Sequence, residues 1–278
     1  MTGFNVKSLK KTAFVLMTLC HLAIYGQQVP LANAFAHNDY FHERPLFDAL
    51  DNGYTYIEAD VFLKDGELIV AHLNPYFKSG RTLENLYLKP LAERIARNGE
   101  QVYKGYAAPL TLMIDIKTDA DRTYSALKVL LEKYKDIFTR CSNGAVYNGP
   151  VIAVISGNKP YQAIAAEKTR LAFIDADLRS IATMSNLNVY TMASCKYAKL
   201  IKWTGHGPMP ANERLKLKAY VAQAHRSGQK VRLWASPESS TVWRELLNCG
   251  VDLINTDKLA MLRGYLTNNA PLYANVAD

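Results

Sequence analysis

Eight short apolar runs recur along the chain, at Asn33 to Ala36, Tyr54 to Val61, Leu110 to Ile116, Val151 to Ile155, Leu171 to Ile174, Val189 to Ala193, Lys230 to Ala235 and Asp252 to Asn255. Between them lie longer amphipathic stretches at Pro45 to Asn52, Leu83 to Asn98, Asp121 to Phe138, Pro160 to Glu167, Asn212 to Ser227, Ser239 to Asn248 and Lys258 to Leu266. Strand-length segments alternating with helix-length ones predict βα units on a parallel sheet, because parallel strands need a crossover long enough to carry a helix. Eight such strands close a barrel. The expected fold is therefore α/β, a single (β/α)8 TIM barrel. The weakest unit is Arg179 to Leu187, whose helix is expected to be short or irregular.

One deviation interrupts the alternation. Lys64-Asp65-Gly66-Glu67 is a turn signal between Val61 and Leu68, so a small hairpin is expected after the second strand. Its return arm, Leu68 to Ala71, carries His72 back toward that strand's end. The segment from Cys195 to Asn212 has little periodicity, and a long connection after a barrel strand belongs to the catalytic face.

Residues 1–26 read as a secretory signal: Lys7, Lys10 and Lys11 precede an apolar run from Thr12 to Tyr25 that is short for a membrane span. Cleavage after Gly26 would start the mature protein at Gln27 and lower the formal net charge from +8 to +5. The expected location is periplasmic or extracellular. The remaining positive charge is scattered and lacks the basic stripe with interleaved aromatics of a nucleic-acid binder, so no nucleic-acid partner is expected. Cys141, Cys195 and Cys249 form an odd, sparse set with no zinc spacing, which describes neither a disulfide framework nor a zinc site.

The chemistry-bearing residues gather at the ends of the apolar runs. Glu58 and Asp60 stand two apart on a predicted strand and so share a face. Asp115 and Lys117 repeat that spacing downstream. Three hard oxygen ligands, Glu58, Asp60 and Asp115, suit Mg2+ or Ca2+, and carboxylates in the mouth of buried strands are costly unless a cation or donors satisfy them. His37 and His72 bracket this cluster. Two histidines suit general acid and base work, one taking a proton from the attacking oxygen and the other giving one to the leaving oxygen. Lys117 can neutralise charge on a phosphoryl group or simply pair with Asp115.

The ordered set His37-Asn38, Glu58-x-Asp60, His72, Asp115-x-Lys117, Trp234 and Asn255-Thr256-Asp257 resembles the superfamily of glycerophosphodiester phosphodiesterases and phosphatidylinositol-specific phospholipase C-like enzymes. The run from Val231 to Asp257 is similar to that superfamily's last two βα units. The resemblance implies a barrel domain over residues 27–278, a divalent ion at Glu58, Asp60 and Asp115, and acid/base roles for His37 and His72. It also implies substrate contacts at Asn38, Lys117, Trp234 and Asn255. A substrate hydroxyl attacking phosphorus would give a cyclic phosphate. The Asp115-x-Lys117 pair and the late Trp234 and Asn255 look more like the sphingomyelinase D branch, and two positions depart from the glycerophosphodiesterase pattern. Asn38-Asp39 stands where glycerophosphodiesterases typically have Arg-Gly, and Asp115 stands where their third metal ligand is commonly glutamate. The expected partner is thus a small-molecule or lipid phosphodiester, with peripheral contact at a membrane surface and an unspecified oligomeric state. A metal-independent lyase using the same histidines, or a non-catalytic envelope barrel that binds a polar ligand, are the competing readings. Tyr76, Phe77, Trp203 and His206 are further candidates for shaping the pocket.

Overall fold

The structure is a computed structural model that describes residues 29–73, 80–183 and 187–269. The expected signal segment lies outside these residues, as do Tyr76 and Phe77. Twelve strands are described: β1 Leu31–Ala36, β2 Tyr54–Lys64, β3 Glu67–Val70, β4 Leu110–Ile116, β5 Arg140–Ser142, β6 Ala145–Tyr147, β7 Val151–Gly157, β8 Thr169–Arg170, β9 Ala172–Asp177, β10 Tyr190–Lys196, β11 Lys230–Trp234 and β12 Leu253–Thr256. Eight of them, in the order β1, β2, β4, β7, β9, β10, β11 and β12, pair in parallel, and β12 returns to β1. The barrel is closed, as the eight apolar runs predict.

Strand alternation sorts side chains into two apolar layers. Leu112, Ile114 and Ile116 of β4 belong to the large cluster between barrel and helices, whereas Met113 joins Phe35, Val154, Phe173, Met192 and Leu253 in a smaller one inside the barrel. Above that apolar plug, toward the carboxyl ends of the strands, the inward positions turn polar with Glu58, Asp175 and Arg232, all buried. The plug denies those charges a route to solvent through the floor, so they must be satisfied by one another or from the mouth.

The outer layer contains α1 Phe47–Asp51, α2 Lys89–Arg97, α3 Ala120–Lys133, α4 Tyr161–Ala166, α5 Tyr197–Leu200, α6 Ala211–Arg226, α7 Ser240–Asn248 and α8 Leu259–Asn268. Asp119 caps α3 by accepting from the Arg122 N–H, and Ser239 caps α7 by accepting from Val242. The weak unit between β9 and β10 is indeed irregular, with 3-10 turns at Leu178–Thr183 and Leu187–Val189.

The hairpin after the second barrel strand is present: β2 and β3 pair antiparallel from Val61 opposite Val70 to Lys64 opposite Glu67. Asp65 and Gly66 between them both have positive φ, +49° and +84°, the two-residue primed turn that matches strand twist. A feature absent from the sequence reading is a small sheet ordered β6-β5-β8 outside the barrel. It follows the helix expected to reach Phe138, which stops at Lys133 and gives way to a 3-10 turn at Lys135–Ile137. Its strands are two or three residues long and β6 is exposed throughout, too little for a period to register. The legible signal was Asn143-Gly144, a primed turn with φ +49° and +84°. Cys141, Cys195 and Cys249 are buried free thiols.

The loop after β1 is organised by Asp39, which is fully buried. Its Oδ2 accepts from the Leu46 N–H and the Tyr87 hydroxyl, while Oδ1 has no partner. Burial pushes the Asp39 carboxyl up to about 6, against those two hydrogen bonds, which pull it down. The folded chain therefore keeps a proton that the unfolded chain releases, and Asp39's contribution to stability falls as pH rises between about 4 and 6. Asp39→Asn, which stays neutral, is expected to lose that slope. Urea unfolding should show it gaining on the unsubstituted protein by up to about 3 kcal/mol between pH 4 and pH 7.5. An unchanged difference at the two pH values would refute the assignment.

Candidate active site

His37, Asn38, Glu58, Asp60, His72, Asp115, Lys117 and Trp234 line one cavity of about 410 Å3 at the carboxyl ends of the barrel strands. Register explains the convergence. Asp60 on β2 stands opposite Asp115 on β4, and Asp115 opposite Ser156 on β7. Ala36, just before His37, is opposite both Ile57 and Thr256. The hairpin delivers His72 to within 3.1 Å of Asp60.

The three acids hold one oxygen each within 4.8 Å of the others. Oxygens on opposite sides of one Mg2+ or Ca2+ are about 4–5 Å apart, so the spacing fits a single ion. Asp60 is 1% exposed. Its Oδ2 takes the Tyr40 hydroxyl at 2.7 Å, Lys117 Nζ at 3.0 Å and His72 Nδ1 at 3.1 Å, whereas its buried Oδ1 has no hydrogen-bond partner. A buried carboxylate oxygen without a donor is costly, and a hard cation is a partner that suits it. Glu58, also buried, receives a hydrogen bond from Arg232 at 3.1 Å, and burial pushes its carboxyl up against the pull of that arginine. Lys117 lies 3.0 Å from both Asp60 and Asp115. Burial pulls its ammonium down, but the two carboxylates outweigh this and leave it raised.

Asp115 reaches the cluster because Gly157 stands beside it. Gly157 has φ +67°, and a Cβ there would overlap the Asp115 carboxylate and the Ile116 carbonyl. Gly157→Ala is expected to push Asp115 out of the cluster. Titration calorimetry with Mg2+ or Ca2+ should show affinity weakened by about tenfold or more, the scale of a displaced ligand; native affinity would show that Asp115 does not need this space.

The histidines are held alike. His37 Nδ1 is 2.8 Å from Asp257 Oδ1, and His72 Nδ1 faces Asp60 Oδ2 and, at 3.0 Å, the Tyr40 hydroxyl. A carboxylate accepts only, so each contact puts the proton on Nδ1 and leaves Nε2 for the cavity. Burial pulls the His37 pKa down, but the hydrogen bond to Asp257 and the charge of Glu58 outweigh it and leave it raised. Glu238 fixes Asp257, accepting from its N–H at 2.6 Å and from the Thr256 hydroxyl at 2.7 Å.

Not every expected contact reaches the cavity. Asn255 is 4% exposed and opposite Phe35, inside the barrel below the mouth and off the cavity wall, and its Oδ1 has no partner. Asn38, in the left-handed conformation at φ 48°, accepts from Tyr40 at 2.7 Å and bonds Asp257. It braces both histidine partners. Trp203 is buried, with its indole N–H on the His206 carbonyl, and serves packing. Sequence reasoning named Asp257 within its motif set but gave it no role, and gave none to Tyr40, Arg232 or the pair Asp175 and Asp177. The last was visible as Asp-x-Asp at strand spacing, like Glu58-x-Asp60, had the strand been extended past Ile174.

A model of the AIM6-like phosphodiesterase domain matches residues 25–175, more than half of the chain. The chain belongs to this family. A model of the glycerophosphoryl diester phosphodiesterase family matches residues 230–260. Among relatives of this AIM6-like chain, the Altered inheritance of mitochondria protein 6 homolog of Arthroderma benhamiae is 26% identical over 259 residues, covering 83% of this chain and 82% of the relative. Altered inheritance of mitochondria protein 6 of Eremothecium gossypii is 28% identical over 264 residues, covering 82% and 68%. The fold is similar to a crystal structure of a glycerophosphodiester phosphodiesterase from Parabacteroides distasonis, with TM-score 0.51 and 14% identity over 86% of this chain and 98% of that one. The AIM6-like protein thus has the (β/α)8 barrel fold that its ordered motifs imply, similar to that of a glycerophosphodiester phosphodiesterase, and its segment 230–260 matches that family's model.

Proposed function

We propose that this AIM6-like protein is an exported, metal-dependent phosphodiesterase that cleaves a glycerophosphodiester or the head-group diester of a phospholipid. The observation that carries the reading is the pair of carboxylate-held histidines on either side of the three-acid cluster. Neither a binding module nor a paired-carboxylate glycosidase calls for that arrangement. Glu58, Asp60 and Asp115 would hold a divalent cation, Mg2+ or Ca2+, which supplies Lewis-acid stabilisation of charge on the phosphoryl oxygens.

In the proposed reaction a hydroxyl of the substrate attacks phosphorus and the bond to the leaving oxygen breaks. One histidine Nε2 takes the hydroxyl proton and the other gives a proton to the departing oxygen, so a cyclic phosphate and an alcohol result. Water then opens the ring with the two roles reversed. Lys117 neutralises the phosphoryl group from the metal side, and Trp234, 36% exposed, walls the pocket. Export rests on the basic leader and apolar run within residues 1–26. Among the described residues no helix is long and apolar enough to cross a membrane.

Phosphorus NMR of products from a panel of glycerophosphodiesters and lysophospholipids, with Mg2+ or Ca2+ added, tests the reading. A cyclic phosphate or phosphomonoester is expected, and no product from any diester under either cation would defeat it. A metal-independent lyase is favoured by one observation, the permanent charge of Arg232 beside Glu58. Turnover that survives complete chelation would select it.

A further inference from the structure

The mouth of the barrel is divided by charge. On the arc from β12 through β1 and β2 to β4 stand Asp257, Glu58, Asp60 and Asp115 with Lys117 as their cation. The other arc, at the ends of β7, β9 and β10, brings Lys159, Lys196 and Lys199 to the same cavity. Among the described residues none of these three ammonium groups has an ion-pair partner. Lys159 donates to the Asp175 carbonyl at 2.7 Å, and Lys196 lies over the Trp234 ring, 5.5 Å from its centroid. Two acids share that rim: Asp177 is engaged by Arg179 through two hydrogen bonds, of 3.0 Å and 2.6 Å, and buried Asp175 faces the charges of Arg232 and Lys159. With Lys159, Arg179, Lys196 and Lys199 set against Asp175 and Asp177, the arc carries a net positive charge, concentrated at Lys196 and Lys199.

A phosphodiester bears one charge, which the acid-lined arc with its cation, Lys117 and the histidines is equipped to take. A cavity of about 410 Å3 is of the size that encloses a whole small ligand, so the lysine arc faces the rest of the head group. Lysines are compact point charges suited to a phosphate. The aromatic face that a quaternary ammonium would seek is covered by Lys196, so a choline-like head group meets both a filled site and like charge.

From this division we propose that the preferred substrate carries a second anionic group, a phosphate monoester on its head group, held by Lys159, Lys196 and Lys199 against Trp234. The inference rests on the phosphodiesterase reading and names the substrate class that the site selects.

The test compares kcat/KM at low salt for glycerophosphocholine, glycerophosphoglycerol and glycerophosphoglycerol bearing a terminal phosphate monoester. The phosphate-bearing diester should exceed the uncharged one by about tenfold or more, with the choline diester lowest, and the advantage should shrink in high salt. In the protein carrying Lys196→Ala and Lys199→Ala together the ratio should fall to about twofold or less, by loss of two charges that answer the phosphate. A ratio near one in the unsubstituted protein, or a ratio that survives both substitutions, overturns the proposal. If no diester is turned over, the phosphodiesterase reading has failed, and calorimetry on the unsubstituted protein decides this inference separately. Glycerol 1,3-bisphosphate binding about tenfold tighter than glycerol 3-phosphate upholds it, and equal affinities overturn it.

Discussion

His72→Ala is expected to lower kcat on a glycerophosphodiester by about 10^3-fold, within the range for loss of a general acid or base, and to leave the fold intact. The ring is 43% exposed, and its ties are the contacts of Nδ1 with Asp60 and Tyr40 and a tilted ring contact with the exposed Phe41, so little packing is lost. Far-UV circular dichroism and the melting temperature should therefore be native. His37→Ala should cost about as much, and the double substitution little more than either alone, because a proton relay fails when one end is missing. A native rate from either single variant would sink the assignment. Asp257→Asn probes the same relay from behind. It removes a partner that raises the His37 pKa, so the limb of the kcat/KM pH profile belonging to His37 should move to lower pH; an unmoved profile would show that Asp257 does not tune it.

Removing divalent cations with a chelator should abolish turnover, and Asp60→Asn should lower kcat/KM by about 10^3-fold, since the cluster loses both a charge and a bonding oxygen. Stability offers a second readout. A cation that binds only the folded chain at one hundred times its dissociation constant adds about 2.7 kcal/mol. The melting temperature of the unsubstituted protein should therefore rise with Mg2+ or Ca2+, while that of Asp60→Asn barely moves. Asp60 is the informative position because its Oδ2 is already shared by Lys117, Tyr40 and His72, while the buried Oδ1 has no protein partner. Full activity after chelation, with no thermal shift in either protein, would remove the metal from the mechanism.

The barrel and most of its mouth were legible because both rest on short-range patterns. Two-residue periodicity put Glu58 with Asp60 and Asp115 with Lys117, and Asp65-Gly66 announced the hairpin that carries His72. The small sheet was not legible, because strands of two or three residues are too short to show a period. Arg232 was hidden for another reason. Between Val231 and Leu233 it reads as an interruption, and only barrel closure turns it inward, 174 residues from Glu58, the acid it holds.

By itself, then, the sequence determined that eight strands would line up in parallel with acids and histidines at one set of ends, since alternation of side chains is a local property of an extended chain. Only the tertiary structure decided how those side chains are used. Asp39 turned away from the mouth to fasten its loop, Asn255 stayed below the rim, Gly157 made space for Asp115, and the lysines of β10 and its neighbours gathered opposite the acids. These outcomes depend on register and closure around the barrel, which join residues far apart in the chain and which no local period encodes.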